Sequence, residues 1–139
     1  MESQNFKNHT RIVPLFHIGM SLICLAILTI ASINFFKDMN LLSTMFLLIA
    51  IALLLGFWYM RAFATKVQDR AIRAEENLRY FTMTGKLLDK KLAMPQTIAL
   101  RFADDSEFVD LTDRAVKENL SNKEIKQAVQ NWRVDHHRA

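Results

Sequence analysis

Cysteine is almost missing from this sequence: Cys24 is the one thiol in 139 residues. The chain therefore cannot build a disulfide framework or a multi-cysteine zinc site within itself. Glycine is scarce too, and Gly19, Gly56 and Gly85 stand too far apart for a phosphate-cradling loop or a dinucleotide fingerprint. Neither a G-x-S-x-G elbow nor an HExxH pair occurs, and Cys24 lies in an apolar run with no histidine in aqueous reach to activate it. No catalytic, cofactor-binding or metal-ligating residue is put forward, and the chain is not expected to be an enzyme. The two prolines are Pro14 and Pro95; no proline interrupts a helix between them.

Charge is missing from one half. Up to Met60 the charged residues are Glu2, Lys7, Arg11, Lys37 and Asp38, whereas fifteen Lys/Arg and twelve Asp/Glu follow from Arg61 onward. Two uncharged apolar runs, 12–36 and 41–60, are separated by the turn 37–40. At the helical rise they reach about 37 and about 30 Å, enough for each to cross a hydrocarbon core of about 30 Å. The first run exceeds a secretory h-region, and Ala31-Ser32-Ile33-Asn34 leads straight into Phe35-Phe36, so it is expected to stay as a span. An all-α membrane protein follows: a short cytoplasmic segment 1–11, a transmembrane helical hairpin 12–60, and a cytoplasmic helical domain 61–139.

Orientation follows from the flanking basic residues. Arg61, Lys66, Arg70 and Arg73 follow the second run against Asp69 alone, and Lys7 and Arg11 precede the first. Both termini are expected in the cytoplasm, with almost nothing beyond the membrane on the other side. Phe57, Trp58 and Tyr59 close the second run as interface anchors. Arg61, Lys66, Arg70 and Arg73 are candidate contacts for lipid headgroups, each contributing about 1 kcal/mol of surface attraction. His17 is the one ionisable residue inside a run, which makes it a candidate intramembrane polar site. It lies only about 7 Å inside the edge, where a ring reaches interfacial water. Midway through the runs, Cys24, Leu25, Ile49 and Ala50 supply almost nothing polar, which argues against conduction. Ala52 and Gly56 form one small-xxx-small pair on which another helix could approach.

Beyond the second run, apolar or small residues recur at Ala64, Val67, Ala71, Ala74, Leu78, Phe81, Gly85, Leu88 and Leu92, in alternating steps of three and four. The pattern predicts that the second span continues as one long helix over 61–93. The face Val67, Ala71, Ala74, Leu78, Phe81, Leu88 and Leu92 is the candidate interaction face, either buried against the helices that follow or paired between chains. Asp69 with Arg73, and Glu75 with Arg79, are expected on its exposed side at i,i+4. About three short helices should follow, over 95–103, 105–119 and 122–136. Pro95 opens the first, Asp104 with Glu107 the second, and the Ser121/Glu124 capping box the third. Ile125, Ala128, Val129 and Trp132 would share one face of the last helix. Asp104, Asp105, Glu107, Asp110 and Asp113 lack the central glycine and closing glutamate of a calcium loop; they read as acids at a helix start. Asp135-His136-His137 has no metal-ligand spacing and reads as a polar end.

The segments Asn5-Phe6-Lys7-Asn8-His9, Val13-Pro14-Leu15-Phe16-His17 and Ala99-Leu100-Arg101-Phe102-Ala103 carry a resemblance, with Gln68 to Arg79 its most specific part. On these segments the sequence resembles an uncharacterised bacterial family, of Bacteroidetes type, of small two-span membrane proteins with a helical cytoplasmic tail. The resemblance covers nearly the whole chain. It implies topology and bacterial origin, and it transfers no functional residue because the family has no assigned activity.

The net charge of +4 is spread among interleaved acids, which gives a solvated helical surface rather than a nucleic-acid patch. The expected function is a membrane-anchored helical interaction or scaffold protein, an accessory subunit of the bacterial cytoplasmic membrane. Its expected partners are the lipid bilayer and a protein or second copy of the chain; no small-molecule substrate and no cofactor are implied. The alternatives are a small oligomeric channel or proton-linked transport component using His17, and a membrane tether for nucleic acid.

Overall fold

The computed structural model describes residues 4–8 and 12–135. Arg11 and the pair His136-His137 lie outside the described residues. Among the described residues the fold is all-helical. A wide π-helical turn, Leu15–Met20, leads into α1 (Ser21–Lys37), followed by α2 (Leu41–Thr84), α3 (Met94–Leu100), α4 (Asp105–Glu118) and α5 (Asn122–Ala128). The chain forms two compact units, one of Ile12–Ala64 and one of Met1–Arg11 with Thr65–Ala139.

In the first unit, α1 and the start of α2 make an antiparallel hairpin. Asn40 and Ser43 fix the turn by reciprocal capping: Ser43 N–H donates to Asn40 Oδ1 at 2.9 Å and Asn40 N–H to Ser43 Oγ at 3.1 Å. The Ser43 hydroxyl also donates to the Asp38 carbonyl at 2.7 Å, which stops α1 from running on. Cys24 and Ala31 on α1, and Ser43 and Ala50 on α2, are this unit's buried residues. All four are small, and each pair lies seven residues apart, so each occupies one line along its helix. Small side chains let two backbones approach closely. At the far end from the turn, Phe16 and Phe57 bring their rings to 5.0 Å. Ala52 and Gly56 lie outside this seam; both are exposed, and a Cβ at Gly56 would meet nothing within 4 Å.

The second unit is built from the later part of α2 and the three short helices. α2 ends at Thr84, nine residues short of the expected 93, because Gly85 adopts a left-handed φ of 72°. Glycine reaches that conformation without a Cβ penalty and so ends helices readily. The heptad stripe is cut there. Leu88 and Leu92 leave it to join the core of Ala99, Leu100, Ala103, Phe108, Leu111, Ala115, Ile125 and Val129. Asn77 steadies the bend by accepting the Leu88 N–H at 2.9 Å.

Helix α3 starts where Gln96 Oε1 accepts the Ala93 N–H at 2.7 Å, with Pro95 in its first turn. Asp104 caps α4 by accepting the Ser106 N–H at 3.1 Å. Those backbone and hydroxyl bonds from Ser106 hold the Asp104 carboxyl below its usual range. Asn119, in the left-handed region at φ 51°, closes α4. The Ser121/Glu124 box opens α5: Ser121 N–H donates to Glu124 at 2.7 Å and Glu124 N–H to Ser121 Oγ at 3.3 Å. These bonds lower the Glu124 carboxyl in turn.

The last helix is shorter than expected, ending at Ala128 rather than 136, and the reason is tertiary. Glu107 accepts the N–H of Asn131 at 2.9 Å and of Gln130 at 3.1 Å, drawing the chain out of helix. It therefore does not act as the reciprocal capping partner of Asp104. Arg133 N–H then donates to the Phe102 carbonyl at 2.7 Å, Ala103 and Trp132 form an antiparallel bridge, and the Trp132 ring lies 4.9 Å from that of Phe102. Trp132 thus reaches the core from an extended segment, not from the face of α5.

Candidate functional site

The candidate interaction face is divided by the bend at Gly85. On α2, Val67 is 68% exposed, Leu78 63% and Phe81 47%, and Ala71 and Ala74 are exposed with them. Leu88 is half-buried and Leu92 fully buried in the core. The helix meets the rest of its unit through a different side, formed by Ile72, Glu76, Arg79 and Tyr80.

That contact side is polar at its centre. The Arg79 guanidinium donates through Nε to Asp105 at 2.7 Å, through Nη1 to Glu76 at 3.0 Å, and through Nη2 to the Ala103 carbonyl at 2.8 Å. It also lies 4.0 Å over the Phe108 ring. Arg79 is therefore not the exposed partner of Glu75; it is a nearly buried clamp between α2 and the start of α4. Glu76 is 5% exposed, and burial raises its carboxyl above the usual range even though the Arg79 bond opposes that shift. Tyr80 donates its hydroxyl to Asp113 at 2.9 Å, and burial followed by that bond raises the phenol. A second arginine does similar work: Arg101 pairs with Asp135 at 3.0 Å and stacks over Phe102 at 4.5 Å. Asp135 is thereby held in the fold, its N–H donating to Gln4 Oε1 at 2.9 Å.

Sequence reasoning missed this network. The available signal was Glu76 with Arg79 at i,i+3 on the same side as Ile72, but apolar periodicity gives charged residues no weight as contact formers. A dense set of charge-assisted bonds of this kind positions helices.

The remaining candidates are separate. Arg61, Lys66 and Arg70 are exposed and Arg73 is half-buried. Trp58 is exposed, Tyr59 stacks on Phe63 at 5.6 Å, and Phe57 is the half-buried partner of Phe16. His17 sits in the π-helical turn with Nδ1 3.0 Å from both the amide and carbonyl of Val13, and its ring meets Phe16 edge-on at 5.3 Å. Its neighbours are its own turn, not a line of polar groups along the hairpin. A shallow cavity of about 340 Å³ lies by Tyr80, Lys86, Asp89, Asp113 and Lys117. Charges of both signs line it and it opens to solvent. Among the described residues no three His, Cys, Asp or Glu side chains converge as metal ligands would.

A family described as a family of unknown function (DUF6526) matches residues 1–139. No curated protein and no solved structure matches the chain.

Proposed function

The chain belongs to DUF6526, a family of unknown function, and on that premise we propose that it is a non-catalytic, membrane-anchored helical interaction protein. In this reading it is an accessory or scaffold subunit of the bacterial cytoplasmic membrane, with both ends on the cytoplasmic side. The observation that carries the reading is the exposure of the two apolar helices. Only 11% of the most apolar stretch of each is buried, whereas the core helix of a water-soluble protein would be mostly covered. Large side chains such as Leu22, Ile30, Phe46, Leu48 and Leu55 are exposed along the hairpin, a surface that lipid tails can cover and water cannot.

The basic cluster Arg61, Lys66, Arg70 and Arg73 supports the cytoplasmic placement. The short turn, closed by Asp38, Asn40 and Ser43, leaves no folded part on the other side. The second unit then carries an exposed apolar stripe on α2, at Val67, Leu78 and Phe81, and a polar network committed to holding its helices together. Binding another protein fits those surfaces better than chemistry does.

Membrane insertion is tested by washing isolated membranes at alkaline pH, with reporters fused after residue 39 and after residue 139 to read topology. The expected result is retention of the full chain in the pellet, with the reporter at 39 outside and the one at 139 inside. Release by alkali, or a cytoplasmic reporter at 39, overturns the reading. Affinity capture after gentle solubilisation should recover a stoichiometric protein partner or an oligomer, and a bare monomer would count against a scaffold.

A further inference from the structure

Between residues 65 and 84, α2 gives one side to its own unit and leaves the other open, and the division follows a seven-residue register. With Ala71 and Leu78 at a, and Val67, Ala74 and Phe81 at d, Gln68 at e and Asn77 and Thr84 at g are half-buried flanks, and the residues that form the helix's contact side fall at b, c and f. They are Ile72 and Arg79 at b, Arg73 and Tyr80 at c, and Glu76 at f; Ile72 and Glu76 are buried and the others half-buried. A two-stranded coiled coil leaves b, c and f on its outside and buries a and d. Here a and d are the exposed positions.

The flanking positions add a charge argument. Of e and g residues Gln68, Arg70, Glu75, Asn77, Thr82 and Thr84, only Arg70 at g and Glu75 at e are charged, and both are exposed. In a parallel pair each g residue faces the e residue five positions further along the other helix. Arg70 therefore meets Glu75 of the partner subunit, twice by symmetry, with no like charges opposed. Two copies anchored by the same hairpin leave the bilayer from the same side, so their helices can meet only in parallel.

We infer that Val67, Ala71, Ala74, Leu78 and Phe81 form a self-association surface: a parallel, in-register coiled coil between two copies of this chain, set in register by Arg70 and Glu75. The inference rests on the membrane-anchored reading, which supplies the parallel orientation, and it names the partner as a second copy. Ala71 and Ala74 let the backbones approach, and Leu78 and Phe81 supply apolar burial at the end away from the hairpin. Two heptads make a short coil, but confinement in one bilayer raises the effective concentration of the second helix.

Because Cys24 is the one native thiol, single cysteines on a Cys24→Ala background read the contact in native membranes. Under mild oxidation, Ala74→Cys and Leu78→Cys should give disulfide-linked dimers, since facing a or d positions bring Cα atoms within the range of about 4.4–6.8 Å a disulfide needs. Lys66→Cys, at c, should link at least about tenfold less, because it points away from the seam. With Ala74→Cys as reporter, Arg70→Glu and Glu75→Arg should each lower linking about fivefold, and the double exchange should restore it. Equal linking at Lys66, no linking at Ala74 and Leu78, linking to a different protein, or no effect of the charge exchanges overturns the inference. If the chain stays in alkali-washed membranes while linking fails, the dimer is wrong and the anchor stands. Loss from the membrane fraction overturns the anchor itself.

Discussion

Arg79 on α2 lies with its guanidinium 4.0 Å over the ring of Phe108 on α4, while its nitrogens bond Glu76, Asp105 and the Ala103 carbonyl. A planar, always-charged fork can stack and donate in several directions at once; a lysine cannot. Together with Tyr80, whose hydroxyl donates to Asp113 at 2.9 Å, this residue joins the long helix to α4.

Replacing Arg79 should therefore be costly in a graded way. Arg79→Met leaves Glu76 buried without its cation and is expected to destabilise the unit by about 3–5 kcal/mol. Arg79→Lys keeps the charge but loses the fork and the flat stacking, and should cost less, about 1–2 kcal/mol. Denaturation of the full chain in detergent, followed through Trp132 on a Trp58→Phe background, measures both. Values for Arg79→Met within about 0.5 kcal/mol of the parent, the range of a neutral surface change, would refute the clamp.

Glu76 carries a pH prediction. Burial is the largest influence on it and raises its folded value above the usual 4.5. Raising a folded carboxyl value means that folding favours the protonated form: this stabilising contribution is complete below the unfolded value and is lost as pH rises through the folded one. Glu76→Gln, which keeps the shape without the charge, should thus be more stable than the parent at neutral pH, with Asp105 still pairing Arg79. The advantage should shrink as pH falls through the raised folded value and vanish below about 4.5. Melting curves of the two proteins from pH 4 to 8 give the answer, and a gap that widens toward acid would reverse the sign.

Glu107 should control the last segment. It accepts the N–H groups of Gln130 and Asn131, so Glu107→Ala leaves those amides without their acceptor, while Glu107→Gln keeps an oxygen in place. Hydrogen exchange at residues 130 and 131 should quicken by about tenfold or more in Glu107→Ala, corresponding to loss of a charge-assisted bond of roughly 1.5–3 kcal/mol, and less in Glu107→Gln. Unchanged exchange in Glu107→Ala would show that the Trp132 bridge alone holds the segment.

What was legible in the sequence was local. The Ser121/Glu124 box, the Asp104 cap and Pro95 each act within a few residues, and each starts a helix in the structure. The two uncharged runs and the turn between them appear as α1, α2 and the Asp38 to Ser43 turn for the same reason. The end of α5 was illegible because Glu107 and the Phe102 carbonyl, more than twenty residues away in sequence, draw residues 130–133 out of the helix. The contact side of α2 was illegible for another reason. Apolar periodicity pointed to Val67, Leu78 and Phe81, but packing within the unit uses Glu76, Arg79 and Tyr80, whose burial depends on partners that spacing does not reveal.

Gly85 is where the periodic reading ran past the real end of the helix, and it offers the sharpest test of how the stripe is divided. Its φ of 72° lies in the left-handed region, and a Cβ there would meet nothing within 4 Å, so any cost of substitution is backbone strain rather than crowding. Gly85→Ala should destabilise the second unit by about 1–2 kcal/mol. Gly85→Asn should cost clearly less, because asparagine tolerates the left-handed region. If strain decides, the order is glycine, asparagine, alanine. If instead α2 gains by running on through Leu88 and Leu92, Gly85→Ala would equal or exceed the parent in stability and raise the helical signal in circular dichroism. That result would mean that glycine itself makes the bend, and that the Asn77 to Leu88 bond and the core burial of Leu92 do not suffice to hold it.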